Sequence, residues 1–210
     1  MAFVWPAGSG RFAGSRRAIR ETRKTRHMTI HAAPRLPFSY FEYQDRLEKL
    51  RHAMEAAGID VLFVTDPSNM HWITGYDGWS FYVHQGVLVF PDREPLWWGR
   101  GQDANGARRT VWMEEEAIRG YDDRFVQSTT RHPMQDLAAA ITDAGFGAKR
   151  IGVEMENYYY SARAHAVLGD ALPDARFVDA TALVNWQRGV KSEAEIDMMR
   201  RAARIVEKSR

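Results

Sequence analysis

The sequence predicts an α/β fold, a mixed and partly parallel sheet flanked by helices, and three observations predict it. Amphipathic stretches alternate with short apolar runs in the order helix, strand, helix, hairpin, helix, then strand–helix–strand–helix. The run Val61-Leu62-Phe63-Val64 is wholly apolar, as in a strand covered on both faces. Helix ends are marked by capping residues at the start and glycines at the end.

In chain order, Ser39-x-x-Glu42 reads as a capping box, with hydroxyl and carboxylate exchanging bonds with orphan backbone N–H groups. Tyr43, Leu47, Leu50, Met54 and Ala57 then share one helical face, and Gly58 is a natural stop. After the 61–64 strand, Asp66-Pro67 opens a short helix with Asp as N-cap and Pro at the first position, ending at Gly75. A strand is expected over 81–90, a turn at Pro91-Asp92, and a return strand over 96–98. A helix over 102–113 tolerates Gly106. Met134, Leu137, Ile141 and Ala144 line a further helix closed by Gly145 and Gly147. Strands follow at 150–155 and 176–179, with helices over 161–168 and from about Thr181. The last feature is Ser192-x-x-Glu195, a second capping box. It opens a helix whose apolar stripe of Ile196, Met199, Ala203 and Val206 needs a partner.

Charge is unevenly spread. Residues 1–27 hold Arg11, Arg16, Arg17, Arg20, Arg23, Lys24 and Arg26 against one acid, Glu21. The three readings are an organelle transit peptide, a basic tail for nucleic acid, or an upstream extension with Met28 as the true start. The last is favoured, because nothing downstream shares this character, and residues 1–37 are expected to be an unstructured leader. The whole chain has a net charge of only +2, which argues against nucleic acid as a partner. There is no cysteine, which excludes disulfides and thiolate metal sites and fits a reducing cytoplasm. No apolar run approaches the roughly 18 residues that span a membrane.

The densest block of aromatics, histidines and glycines runs from Asn69 to Thr110. Each ring taken singly has a plain role in a sheet core. Trp72, Trp79, Trp97, Trp98 and Trp112 cannot all be buried in one small core with every indole N–H satisfied, so part of the block is expected to face a ligand. Strand alternation puts Tyr82 and His84 on one face and Phe81 and Val83 on the other. Arg100, Arg108 and Arg109 are available donors for a carboxylate, although each alone is commonly a surface charge. Asp77 and Asp103 could meet a cation, and Arg109 and Asp103 could equally brace an interface. Asp122-Asp123 and Glu114-Glu115-Glu116 read as solvated turns or helix ends, and His27, His31 and His52 have no partner at ligand spacing. Tyr158-Tyr159-Tyr160 reads as packing or interface. No phosphate loop, nucleophile elbow or dinucleotide fingerprint is present.

Arg188-Gly-Val-Lys191-Ser192-x-x-Glu195-Ile196-x-x-Met199-Arg200-x-Ala202 resembles the junction helix of the creatinase/aminopeptidase-P/prolidase superfamily. Asn69-Met-x-Trp-Ile-Thr-Gly75-Tyr resembles the part of its N-terminal domain that faces the active site. Within the superfamily, Gly75-Tyr-Asp-Gly-Trp-Ser-Phe-Tyr-Val-His-Gln-Gly86, Trp97-Trp98-Gly-Arg-Gly and Asp103-Ala-Asn-Gly-Ala-Arg-Arg-Thr110 look like the ectoine hydrolases, with creatinase as a cousin. The resemblance covers about residues 39–210. It implies a creatinase-type N-terminal α/β domain over 38–188, and a junction helix over 189–210 that opens a "pita-bread" catalytic domain lying beyond Arg210. It further implies hydrolytic opening of the cyclic amidine ectoine, and a cytoplasmic homodimer in which one subunit's N-terminal domain leans over the other's pocket. Catalytic and metal-binding residues of such enzymes sit in the catalytic domain, so none is assigned here, and no cofactor is expected in this chain. The expected substrate-facing residues are Tyr82, His84, Trp79, Phe81, Asp77 and Arg109, with Tyr82 and His84 foremost. Two other functions stay open. An Xaa-Pro peptidase relative would turn over proline peptides with manganese; a stand-alone binding domain would fold its last helix back.

Overall fold

The computed structural model describes residues 36–209. The basic leader, Met28, His27 and His31 lie outside the described residues. Six strands form one sheet in the order β4-β3-β2-β1-β5-β6: β1 (Val61–Val64), β2 (Gly86–Val89), β3 (Leu96–Arg100), β4 (Ile118–Tyr121), β5 (Arg150–Val153) and β6 (Arg176–Asp179). β1 pairs in parallel with β5, and β5 with β6. β2 is antiparallel to both β1 and β3, and β3 is parallel to β4. Only β2 therefore runs against the rest.

Helices cover both faces. α1 (Tyr40–Ala56), α2 (Pro67–Thr74), α3 (Ala104–Thr110) and α6 (Leu183–Gly189) pack with Leu62, Val64, Val87, Val89 and Trp97. α4 (Pro133–Asp143) and α5 (Ala162–Ala171) pack with Val61, Phe63, Leu88, Trp98 and Ile151 on the other side. The alternation along β1 makes it fully buried, as its sequence predicts. α7 (Glu193–Lys208) has no buried residue.

The caps follow the sequence closely. The Asp66 carboxylate accepts from Ser68 N at 2.8 Å and Asn69 N at 3.0 Å. Gly75 closes α2 at φ 81°, where a Cβ would lie 2.9 Å from the Thr110 carbonyl. The Ser192–Glu195 capping box forms in both directions. At Ser39 only half forms: its hydroxyl accepts from Glu42 N at 3.2 Å, but the Glu42 carboxylate is taken by Arg46 at 3.0 Å.

Three elements differ from expectation. The strand predicted over 81–90 is confined to β2, because side chains occupy the backbone before it. Val83 N donates to Ser80 Oγ at 3.3 Å and the Tyr121 hydroxyl donates to the His84 carbonyl at 2.7 Å. The 102–113 helix is shortened to α3. β4 was not expected: Ile-Arg-Gly-Tyr has no strand alternation, and its pairing with β3 makes it a strand.

Because the parallel strands share one direction, Thr65, Arg100, Tyr121 and Glu154 all emerge at one edge of the sheet. Segment 77–85, which enters β2 from that edge, joins them there. Crevices outside the carboxyl ends of strands are where open α/β sheets bind ligands.

Candidate functional site

Segment 77–85 is anchored from within and apolar outside. Tyr76 is buried and donates its hydroxyl to Gln85 Oε1 at 2.9 Å. Tyr76 also lies so close to Gly78 that a Cβ there would collide with its ring. Asp77 N donates to Thr110 Oγ1 at 3.3 Å, and the Trp79 indole donates to the Tyr159 hydroxyl. With the backbone tied down in this way, Trp79, Phe81 and Tyr82 stand 59%, 81% and 59% exposed. Neighbouring large exposed rings on a fixed loop mark a surface that something else covers. The expectation for the tryptophans holds in this form: Trp72, Trp97, Trp98 and Trp112 are buried and Trp79 is not, and Trp97 Nε1 has no acceptor among the described residues.

Beside this loop lies a cavity of about 180 Å³ lined by Tyr82, His84, Tyr121, Ser128, Arg131 and His132 among others. The His84 and His132 rings are 5.0 Å apart. Burial pushes the His84 imidazole below its ordinary value, opposed by its bond to the Tyr159 carbonyl. Burial, then His84, then Arg163 lower His132 to about 4. Both rings are therefore neutral near pH 7. Arg100 grips Asp123 with two bonds of 2.7 and 3.0 Å and reaches the Tyr82 hydroxyl at 3.4 Å. Asp123 is thus a brace for Arg100, which the sequence reading as a plain solvated turn missed.

The predicted residues divide between places. Tyr82 and His84 line the cavity together, although not by strand alternation, since 81–85 is not a strand. Asp77 and Trp79 line a separate groove of about 620 Å³ with Trp72, Arg188 and Met199. Phe81 lines neither. Arg109 is exposed on α3 and forms no ion pair among the described residues, and Arg108 is engaged with Glu115 at 2.6 Å. Tyr160 is buried against Phe63, whereas Tyr158 is fully exposed. Arg131 and His132 were not expected; the His132-Pro133-x-Gln135 start of α4 was the available signal, and it forms a capping box. Among the described residues no group of three or more histidine, aspartate or glutamate side chains could hold a metal. No helix among them is long and apolar enough to cross a membrane.

The profile of the creatinase/prolidase N-terminal domain family matches residues 46–190. The chain belongs to that family. It is 54% identical over 172 residues to the ectoine hydrolase of Halomonas elongata, covering 81% of this chain and 43% of that protein. It is 27% identical over 172 residues to the creatinase of a Bacillus species, covering 81% of this chain and 39% of that protein. The chain thus spans less than half the length of these relatives. In fold it is similar to a proline dipeptidase from Streptococcus pneumoniae, with a TM-score of 0.56 at 24% identity, covering 69% of this chain and 98% of that one. A Xaa-Pro dipeptidase from Bacillus anthracis gives a TM-score of 0.59 at 19% identity, covering 74% and 38%.

Two polar hubs hold this creatinase/prolidase N-terminal domain together behind the exposed loop. Glu154, only 1% exposed, accepts from Thr65 N at 2.7 Å, Asp66 N at 2.8 Å and Asn69 Nδ2 at 2.6 Å. Burial pushes its carboxyl up, and these donors oppose that. Asn69 passes the network on, donating to Asn185 at 2.8 Å and accepting from Arg188 at 2.6 Å. The second hub is Arg46, 2% exposed, lying 4.1 Å over the Phe38 ring and donating to the Trp72 carbonyl at 3.1 Å. The Glu195 carboxylate accepts from Arg46 at 3.1 Å and from the Trp72 indole at 2.9 Å. The junction motif of the domain is therefore wired directly to α1 and α2.

Proposed function

We propose that this chain is the N-terminal, pocket-shaping and subunit-joining part of an ectoine hydrolase, an enzyme that opens the cyclic amidine of ectoine to an N-acetylated diaminobutyrate. The likeness to the Halomonas elongata protein at 54% identity carries the reading, and the exposed rings of segment 77–82 support it physically. Ectoine is a small zwitterion with a delocalised amidinium and a carboxylate. Tyr82 offers a ring face to the cation, with the neutral His84 imidazole in the same cavity, while Trp79 offers its ring to the neighbouring groove. In this reading the subunits form a cytoplasmic homodimer, with Asp77 as a partner for the amidinium, Arg109 as a donor for the carboxylate and Phe81 on the wall offered to the second subunit. Catalysis belongs to the part of the enzyme that this chain does not match. The apolar face of α7, with Met199 and Val206 exposed, docks on that part. That exposure weighs against a stand-alone binding domain, whose last helix would fold back.

The test is a chimera in which residues 46–190 replace the matching segment of the Halomonas elongata enzyme. Ectoine opening without added metal is expected. Tyr82→Ala should raise KM about tenfold with kcat little changed, the loss of one cation–ring contact worth about 1–2 kcal/mol. A folded chimera that ignores ectoine, or that cleaves Xaa-Pro dipeptides with manganese instead, would refute the assignment. Unchanged KM would remove Tyr82 from the site.

A further inference from the structure

We infer that the 180 Å³ cavity beside segment 77–85 is a binding site for a small carboxylate, with Arg131 as its charged anchor and His132 as a neutral donor. Its lining contains one cation, two imidazoles, hydroxyls and an amide, and no aspartate or glutamate. Asp123, two residues before the lining residue Phe125, is paired with Arg100. Arg131 forms no ion pair among the described residues, so its guanidinium keeps its donors for a ligand.

His132 is held in one tautomer. Its Nδ1 accepts from Met134 N at 3.2 Å at the start of α4, so the neutral ring carries its proton on Nε2. That Nε2–H has no partner among the described residues. The second imidazole, His84, lies 5.0 Å away, ring centre to ring centre. Arg163 adds a further positive field at His132. A neutral N–H donor in a cavity that Arg131 also lines, with no acid in that lining, favours an anion over a cation.

The wall is also held in a costly shape. Gln127 is the one non-glycine among the described residues with positive φ, at 50°. Such conformers persist where the surrounding structure over-determines them, and they cluster at ligand sites. In volume the cavity equals about six waters, which is room for a single small molecule. Tyr82 closes one side. The identification of the carboxylate as that of ectoine rests on the proposed function; the anion site itself does not.

The experiment is a titration of the 210-residue chain with acetate, ectoine and ectoine carboxamide, followed through the imidazole Cε1–H NMR signals of His84 and His132 at pH 7. Acetate and ectoine are expected to shift His132 saturably, with the carboxamide at least tenfold weaker. Arg131→Met, a substitution at an exposed and unpaired side chain, should weaken both anions at least tenfold, and Arg131→Lys should recover part of the loss. A response to acetate that Arg131→Met abolishes, with none to ectoine, would uphold the anion site and end the ectoine reading. No response of His132 to either anion, or responses that survive Arg131→Met, would overturn the site.

Discussion

Glu195 gives the sharpest test of how α7 is attached. α7 buries none of its own residues, yet Glu195 at its first turn receives Arg46 and Trp72 on one oxygen and Ser192 N, at 2.9 Å, on the other. Replacing it by alanine removes three bonds to one carboxylate: the ion-paired one from Arg46, worth roughly 1.5–3 kcal/mol, and those from the indole and the capped Ser192 N–H, about 1 each. The total is reduced because Arg46 keeps Glu42 and the Trp72 carbonyl, and because water reaches a partly exposed carboxylate. A net loss of about 2–3 kcal/mol is expected for Glu195→Ala, equal to a fall in Tm of roughly 8 °C for a domain of this size. Glu195→Gln keeps one acceptor oxygen for Arg46 and the indole, but its NH2 then faces Ser192 N, so the cap goes with the charge and the cost should be about 1–2 kcal/mol, less than for alanine. Urea denaturation read by tryptophan fluorescence measures both. Hydrogen exchange over residues 193–208 should speed up in the alanine variant while β1 and β5 stay protected. Equal costs for the two variants, or a loss under about 0.5 kcal/mol as at an ordinary surface site, would refute the attachment.

Glu154→Gln should destabilise the domain by about 1–3 kcal/mol. The amide oxygen can keep Thr65 N and Asp66 N, but its NH2 then faces Asn69 Nδ2, and turning Asn69 over would break its bond from Arg188; denaturation midpoints that match the parent chain would exclude this. The His84–His132 pair predicts acid sensitivity. Both imidazoles lie below their unfolded value near 6.5, with His132 at about 4, so between those pH values the unfolded chain binds more protons and stability falls as pH falls. The drop for His132 would be about 3 kcal/mol if fully shielded, and half-exposure reduces it to roughly 1. His132→Gln should flatten the fall in Tm between pH 6.5 and 4, and an unaltered slope would contradict it.

What could be read from the sequence was what is decided within a few residues. Asp66-Pro67 and Ser192-x-x-Glu195 are caps because their own backbone supplies the partners, and Val61–Val64 is a buried strand because four apolar side chains in a row need cover on both faces. Where another group competes, the reading from a few residues gives way. Glu42 could have completed the first capping box, but Arg46 one turn later offers a charged partner. Ile118–Tyr121 has no strand pattern and becomes β4 through its partner β3, 18 or more residues earlier.

The candidate site shows the same competition with a functional consequence. Residues 81–85 have the composition of a strand, and continuing β2 would have turned Phe81 and Tyr82 to opposite faces of the sheet. Ser80 and Tyr121 instead take the Val83 N–H and the His84 carbonyl, so the backbone is satisfied without a neighbouring strand and both rings turn outward. The contact that defeats the strand assignment is thus the one that creates the exposed loop. Its other wall, from Phe125 to His132, carries no periodic signal and meets His84 only through tertiary folding. Tyr82 and His84 could therefore be named from the sequence as candidates, while Arg131 and His132, which supply the charge and the donor of the cavity, became visible only when the two segments were brought together.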